Sequence, residues 1–393
     1  MIKIGTPQIS THENFSKLSC NINFQNKDYN IWFEVPNEYA SYLTTDNCNA
    51  FLVGILKYAI ETDNDIYCEH PVSEELYYQI TTTLIDIFCK PKSLRRIQIN
   101  APLISDCKGY KQGNAIGTGI SCGIDSFHVL ASLQNTPCTN HKLTHLQFTN
   151  IGAPSDNETY QIRYKRALKF CKEFGFNLVS INTNWFDLIK IPHLQTHTLT
   201  TISTVFALEK LYSTYYYASA GEFNGSTINL KNPNIAEYDQ IVLSCLSLRN
   251  LMLYSEGYTY TRFEKTKDIV NYYPSYKYLN VCFFEGKNCG HCSKCLRTLF
   301  ALEILGKLEL YKDVFDIQDF KKNKKKYLIL LYKYYLYKDF YFIELYQALP
   351  YKLSKAIKIK AYWAFLKSQL AYKIGLNSPI KKILSKICKI VKL

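Results

Sequence analysis

One stretch constrains the fold more than any other: Gly119-Ile120-Ser121-Cys122-Gly123-Ile124-Asp125-Ser126, rich in small and hydroxyl residues, set between two apolar runs. Asn114 to Ile120 reads as a strand. Ser126 to Leu133 reads as a helix, with Phe127, Leu130 and Ala131 at helical spacing. The loop therefore falls at a helix N-terminus, where unpaired N–H groups and the positive end of the helix dipole favour an anion. Gly119 and Gly123 allow close approach of a ligand, and the Ser121 and Ser126 hydroxyls can donate to phosphoryl oxygens. The same residues also suit an ordinary strand-to-helix turn with Asp125 or Ser126 as N-cap.

The loop lacks the Gly-Lys-Ser/Thr ending of a Walker A motif, and its glycines do not fit the dinucleotide G-x-G-x-x-G frame. Strand and helix patterns then alternate from Cys107 to about Cys282, which favours a parallel sheet covered by helices. The expected elements are a strand at Leu143 to Thr149, a helix at Glu158 to Phe174, a strand at Asn177 to Asn182, a helix at Ile202 to Leu211 and a strand at Tyr215 to Ala218. Ligands in such folds bind beyond the C-terminal strand ends. That edge carries Asn150 and Gly152 on one side of the loop and Ser219, Gly221 and Glu222 on the other. Arg262 and Lys265, three apart on a helix opened by Thr261, share a face and suit a phosphate or carboxylate; a solvated surface helix is the commoner meaning of such charges. Asp239 precedes an apolar run and is equally ambiguous.

A second signal lies at Cys282, Cys289, Cys292 and Cys295, spaced Cys-x6-Cys-x2-Cys-x2-Cys, with Gly286, Asn288 and Gly290 to make the turns. Four thiolates close a tetrahedral sphere, so the expected Zn²⁺ would be structural; an iron–sulfur cluster is the competing occupant. The apolar helix Leu296 to Leu305 follows, with Gly306 at its end.

Ser-x-Gly-x-Asp-Ser after a strand resembles the pyrophosphate loop of the N-type ATP pyrophosphatases (PP-loop), usually Ser-Gly-Gly-x-Asp-Ser. Joined to the cysteine pattern it is similar to 7-cyano-7-deazaguanine synthase and its relatives, over about half the chain, Cys107 to Gly306. The resemblance implies an adenine nucleotide alpha hydrolase-like (HUP) α/β domain. Ser121, Gly123, Asp125 and Ser126 would bind ATP with Mg²⁺, and the four cysteines Zn²⁺. Asn150, Gly152 and Gly221 are the further nucleotide-binding candidates, and Asp125, Arg262 and Lys265 the catalytic ones. The implied chemistry is adenylation of a small molecule or sugar with release of pyrophosphate, followed by amidation or related ligation. The alternatives are tRNA or nucleobase modification, and a non-catalytic nucleotide-binding component of a multi-protein system. Cys122 replaces the first of the two usual glycines; a thiol there is either a reactive group or a stand-in for a small residue.

The expected organisation is an α+β domain over 1–108, the ATP pyrophosphatase domain with its four-cysteine site over 109–310, and a helical Lys/Tyr-rich region over 311–393. In the first, Leu18 to Phe24 and Ile31 to Val35 read as strands around a turn at Asn26 to Asp28, and helices begin near Asp46 and Ser73. Fourteen cysteines without a signal-peptide core suggest reduced thiols and the cytoplasm. Eleven of the fourteen net positive charges fall after residue 350, where no acidic residue occurs. Tyr327 to Tyr346 reads as an apolar-aromatic helix, and Ile380 to Val391 as a basic amphipathic one. The latter suits an anionic inner membrane surface, giving a peripheral location, more than a nucleic acid; an ordinary solvated terminal helix is the commoner meaning of such a pattern.

Overall fold

A computed structural model of the chain describes residues 1–105, 113–134, 136–151, 157–221, 234–282 and 287–374. It comprises two compact units, Met1–Asn280 and Val281–Leu393. The basic stretch from Ile380 lies outside the described residues.

The first unit is α/β, built on one large mixed sheet. β1 (Ile2–Ile4) and β2 (Gln8–Thr11) lead into the hairpin β3 (Phe15–Phe24) and β4 (Lys27–Pro36). Leu18, Cys20, Ile22 and Phe24 all point into the core, and so do Ile31, Phe33 and Val35, as a two-residue period requires. The turn is tighter than the expected Asn26 to Asp28: Gln25 and Asn26 both take left-handed φ, 52° and 59°, the twist a two-residue hairpin needs. β5 (Ile66–Cys68), β6 (Val72–Ser73), β7 (Ile99–Asn100) and β8 (Leu103–Ile104) are short. Then come β9 (Ala115–Gly119), β10 (His145–Asn150), β11 (Asn177–Thr183), β12 (Tyr212–Ala218) and β13 (Met252–Glu256), each parallel to its neighbours within this set.

The sheet runs β13-β12-β9-β10-β11-β4-β3-β1-β5-β7, with β2 added on β3. Strand order thus reverses at β9, whose neighbours are β10 and β12, the kind of position beyond whose strand ends ligands bind in open α/β sheets. Segment 1–108, expected to stand apart, continues the same sheet: β4 pairs antiparallel with β11, Asn182 opposite Glu34. The helix expected to begin near Asp46 spans Asn49–Glu61 and is buried from Asn49 to Ile60. Trp185 packs against its Gly54 and donates from Nε1 to Ser203 Oγ at 2.9 Å. The expected helix at Ile202 to Leu211 begins earlier, at His197, and ends at Ala207.

The second unit holds the cysteine knuckle and the helices Ser293–Ile304, Ile317–Lys322, Lys324–Leu336, Phe340–Ala348 and Lys355–Ile374. The single helix expected over Tyr327 to Tyr346 is two. Lys338 takes φ 57°, and the Asp339 carboxylate restarts the helix by accepting from the backbone N–H of Tyr341 (3.1 Å) and Phe342 (3.4 Å). No helix among the described residues is long and apolar enough to cross a membrane.

Candidate functional site

The loop after β9 closes on itself through its hydroxyls. Ser121 Oγ accepts from the Gly123 N–H (3.2 Å) and donates to Ser126 Oγ (3.3 Å), which in turn donates to the Gly123 carbonyl (3.1 Å). The helix Ile124–Gln134 follows at once. Cys122 is the hinge of this turn: its φ is 56°, the left-handed region where a glycine sits without strain and an L side chain costs about 1–2 kcal/mol. Its carbonyl accepts from the Asn280 N–H at 2.7 Å. Burial pushes the thiol up to about 12, with nearby Arg166 only partly opposing it, so the side chain is held as a protonated, space-filling thiol.

Asp125 opens the helix and is held from two sides. Arg262 Nη2 lies 3.0 Å from Oδ2, and Lys265 Nζ 3.5 Å from Oδ1. Both cations come from the helix Arg262–Ile269, whose start is fixed by a capping box. Thr261 Oγ1 accepts from the Glu264 N–H (3.1 Å) and Glu264 Oε2 from the Thr261 N–H (2.8 Å). With the first turn anchored, positions 262 and 265 project on one face. Lys265 is 1% exposed and donates to the Ser219 carbonyl at 2.7 Å. Burial pushes its pKa down while the Asp125 carboxylate holds it up.

A second carboxylate completes the cluster. Asp239 is wholly buried and accepts from Ser219 Oγ (2.9 Å) and Ser255 Oγ (2.6 Å). Burial raises its pKa to about 6 against these bonds and the attraction of Lys265. Residues from the loop after β9, the end of β12, β13 and three helices thus meet at the order reversal of the sheet. Gly221 is required by a close approach: its N–H bonds to Ser219 Oγ (3.2 Å), and a Cβ there would stand 2.0 Å from the Ala236 carbonyl oxygen. Asn150 closes β10, in register with Asn182 of β11. Gly152 and Glu222 lie outside the described residues.

Sequence reasoning missed Arg166, a half-buried guanidinium close enough to Cys122 for the two to shift each other's titration. It sits among other basic residues of the helix Asn157–Phe174, where periodicity cannot single it out. Ser255 was missed with its strand, since Met252-Leu-Tyr-Ser-Glu256 is a sheet edge with Met252 exposed.

In the second unit the four cysteine sulfurs lie within 4.8 Å of one another. Cys282 and Cys292 are 3.9 Å apart, as are Cys289 and Cys295. Tetrahedral Zn²⁺ with bonds of about 2.3 Å separates its sulfurs by about 3.8 Å, so the group fits such an ion. The knuckle is formed by Gly290 at φ 76° and by N–H groups aimed at sulfur: Cys292 to Cys289 Sγ (3.4 Å) and Cys295 to Cys292 Sγ (3.5 Å). For Cys289, burial raises the pKa but is outweighed by the His291 and Cys292 N–H groups and by the Cys282 and Cys292 thiols, which bring it to about 7. His291 turns its Nδ1 to the Cys289 carbonyl (2.8 Å) and is outside the group. These four cysteines could hold a metal ion such as zinc. The chain matches no protein-family model, no curated protein and no solved structure.

Proposed function

We propose that the first unit is an ATP pyrophosphatase-type domain of HUP architecture, which binds ATP with Mg²⁺ on the loop Ser121 to Ser126 and adenylates a small-molecule or sugar substrate. The observation that carries this reading is a hydroxyl-lined helix N-terminus placed where the strand order reverses, with Arg262 and Lys265 beside it. Loop N–H groups and the Ser121 and Ser126 hydroxyls would hold the β- and γ-phosphates, leaving the α-phosphorus open to in-line attack by a substrate oxygen. The O–Pα bond to the new ester forms as the Pα–O–Pβ bond breaks, and the departing pyrophosphate takes the developing charge toward Arg262 and Lys265. Asp125, 22% exposed at its side chain, is the carboxylate that would hold Mg²⁺, which supplies neutralisation of phosphate charge when bound. Asp239, fully buried behind it, fixes Ser219 and Ser255. The second unit would carry a structural Zn²⁺ on Cys282, Cys289, Cys292 and Cys295.

Titration calorimetry with Mg²⁺ present tests the cradle. ATP should bind at least tenfold more tightly than AMP, and Ser121→Ala with Ser126→Ala should remove that preference. Pyrophosphate release in the presence of pooled small-molecule acceptors should vanish in Asp125→Ala. Equal affinity for ATP and AMP would overturn the assignment.

A further inference from the structure

The helix Lys355–Ile374 has two apolar faces, and among the described residues only one is packed. Ile357 and Ala361 are buried, and Ser368 bonds the Tyr337 hydroxyl, so this side packs on the helix Lys324–Leu336 and its end. Ile359, Trp363, Leu366 and Leu370 follow at spacings of four, three and four, which places them on one stripe roughly 180° from Ile357 and Ala361. That stripe faces solvent: Ile359 is 57% exposed, Trp363 59% and Leu370 49%, with Leu366 half-buried. Lys355 borders it on one side and Lys360 and Lys367 on the other, all exposed. Tyr362, 51% exposed, lies at its margin.

We infer that this face docks on an anionic phospholipid surface, the helix lying in the interfacial plane. A helix that puts aliphatic side chains and a tryptophan between two lysine borders matches the headgroup boundary, with the stripe entering the acyl region and the ammonium groups reaching lipid phosphate. Charge argues against the other occupants. A second copy applied to this face would set lysine borders against each other, and no acidic residue follows residue 350 to relieve them. RNA phosphates would engage the lysines but leave Ile359, Leu366 and Leu370 without a role.

The test uses the full chain with vesicles of phosphatidylcholine alone or with 30% phosphatidylserine. Sedimentation should show binding to the anionic vesicles at least tenfold stronger than to the neutral ones. Vesicles with brominated acyl chains should quench emission in the parent protein far more than in Trp363→Phe, because Trp185 is buried, Trp32 is half-buried and both belong to the other unit. The double variant Ile359→Glu/Trp363→Glu, checked for unchanged far-ultraviolet dichroism, should lose at least tenfold in vesicle affinity. Three outcomes would overturn the inference: vesicle binding that survives this variant, a self-association that the variant abolishes without any vesicle binding, or binding of a homopolymeric RNA in place of vesicles.

Discussion

Replacing Asp125 with Asn keeps the side chain's shape and removes the charge shared by Arg262 and Lys265. The cations stand 3.0 and 3.5 Å from the carboxylate. At an effective dielectric of about 20, each attraction is about 5 kcal/mol before solvation is counted. Desolvation cancels much of that, and removing one partner of a buried pair costs about 3–5 kcal/mol. The Asp125 side chain is 22% exposed, and Lys265 keeps the Ser219 carbonyl and the field of Asp239. The expected loss is therefore at the lower end, about 3 kcal/mol at pH 7. The loss depends on pH with a definite sign. Burial already holds the folded pKa of Lys265 below 10.5, and losing Asp125 lowers it further. Between that depressed value and 10.5 the unfolded variant binds more protons than the folded one, so its stability rises with pH across the window. The gap between parent and variant should narrow as pH rises from the variant's folded pKa to the parent's, which itself lies below 10.5, and stay level above that. Urea unfolding followed by tryptophan emission, to which buried Trp185 contributes, measures it. A gap under about 0.5 kcal/mol, or one that stays constant with pH, would refute the buried coupling.

The knuckle should carry one zinc per chain, released stoichiometrically to a chromophoric chelator when the thiols are titrated; Cys289→Ser with Cys292→Ser should retain less than about a fifth of it and melt earlier. Iodoacetamide at pH 8 should label exposed Cys138 well before buried Cys122, by peptide mass mapping, and Cys122→Gly should change stability by under about 1 kcal/mol while β-branched Cys122→Val costs about 2. Gly221→Ala should destabilise by about 1–3 kcal/mol and weaken ATP binding at least tenfold, because its Cβ meets the Ala236 oxygen at 2.0 Å. Gly119→Ala, whose Cβ meets among the described residues only the Tyr215 hydroxyl at 3.4 Å, is the matched control and should cost well under 1 kcal/mol.

The features legible in the sequence were those written in short-range spacing. A strand, a small-residue turn and a helix lie within twenty residues around Ser121, and Arg262 and Lys265 share a face because three residues make nearly one helical turn. The cysteine spacing was likewise sufficient to bring four sulfurs together. What could not be read was the pairing of distant segments. Nothing near Glu34 announces Asn182 as its partner, and nothing near Asp239 announces Ser219 and Ser255. Ala236, whose carbonyl makes Gly221 obligatory, is also supplied only by the fold. Local composition misled where a cap overrode it, as when Asp339 divided an unbroken apolar-aromatic run into two helices.

The pairing of β4 with β11 also shapes how the molecule can be made. The β3–β4 hairpin is complete once Pro36 has emerged, yet the strand that covers its outer edge ends at Thr183, about 150 residues later. At ordinary rates of synthesis the nascent chain spends on the order of ten seconds with that ladder of N–H and carbonyl groups open to any passing strand. Ribosome-bound intermediates in this interval are where aggregation and chaperone capture should concentrate, and a fragment lacking the first hundred residues would inherit the converse problem at β11.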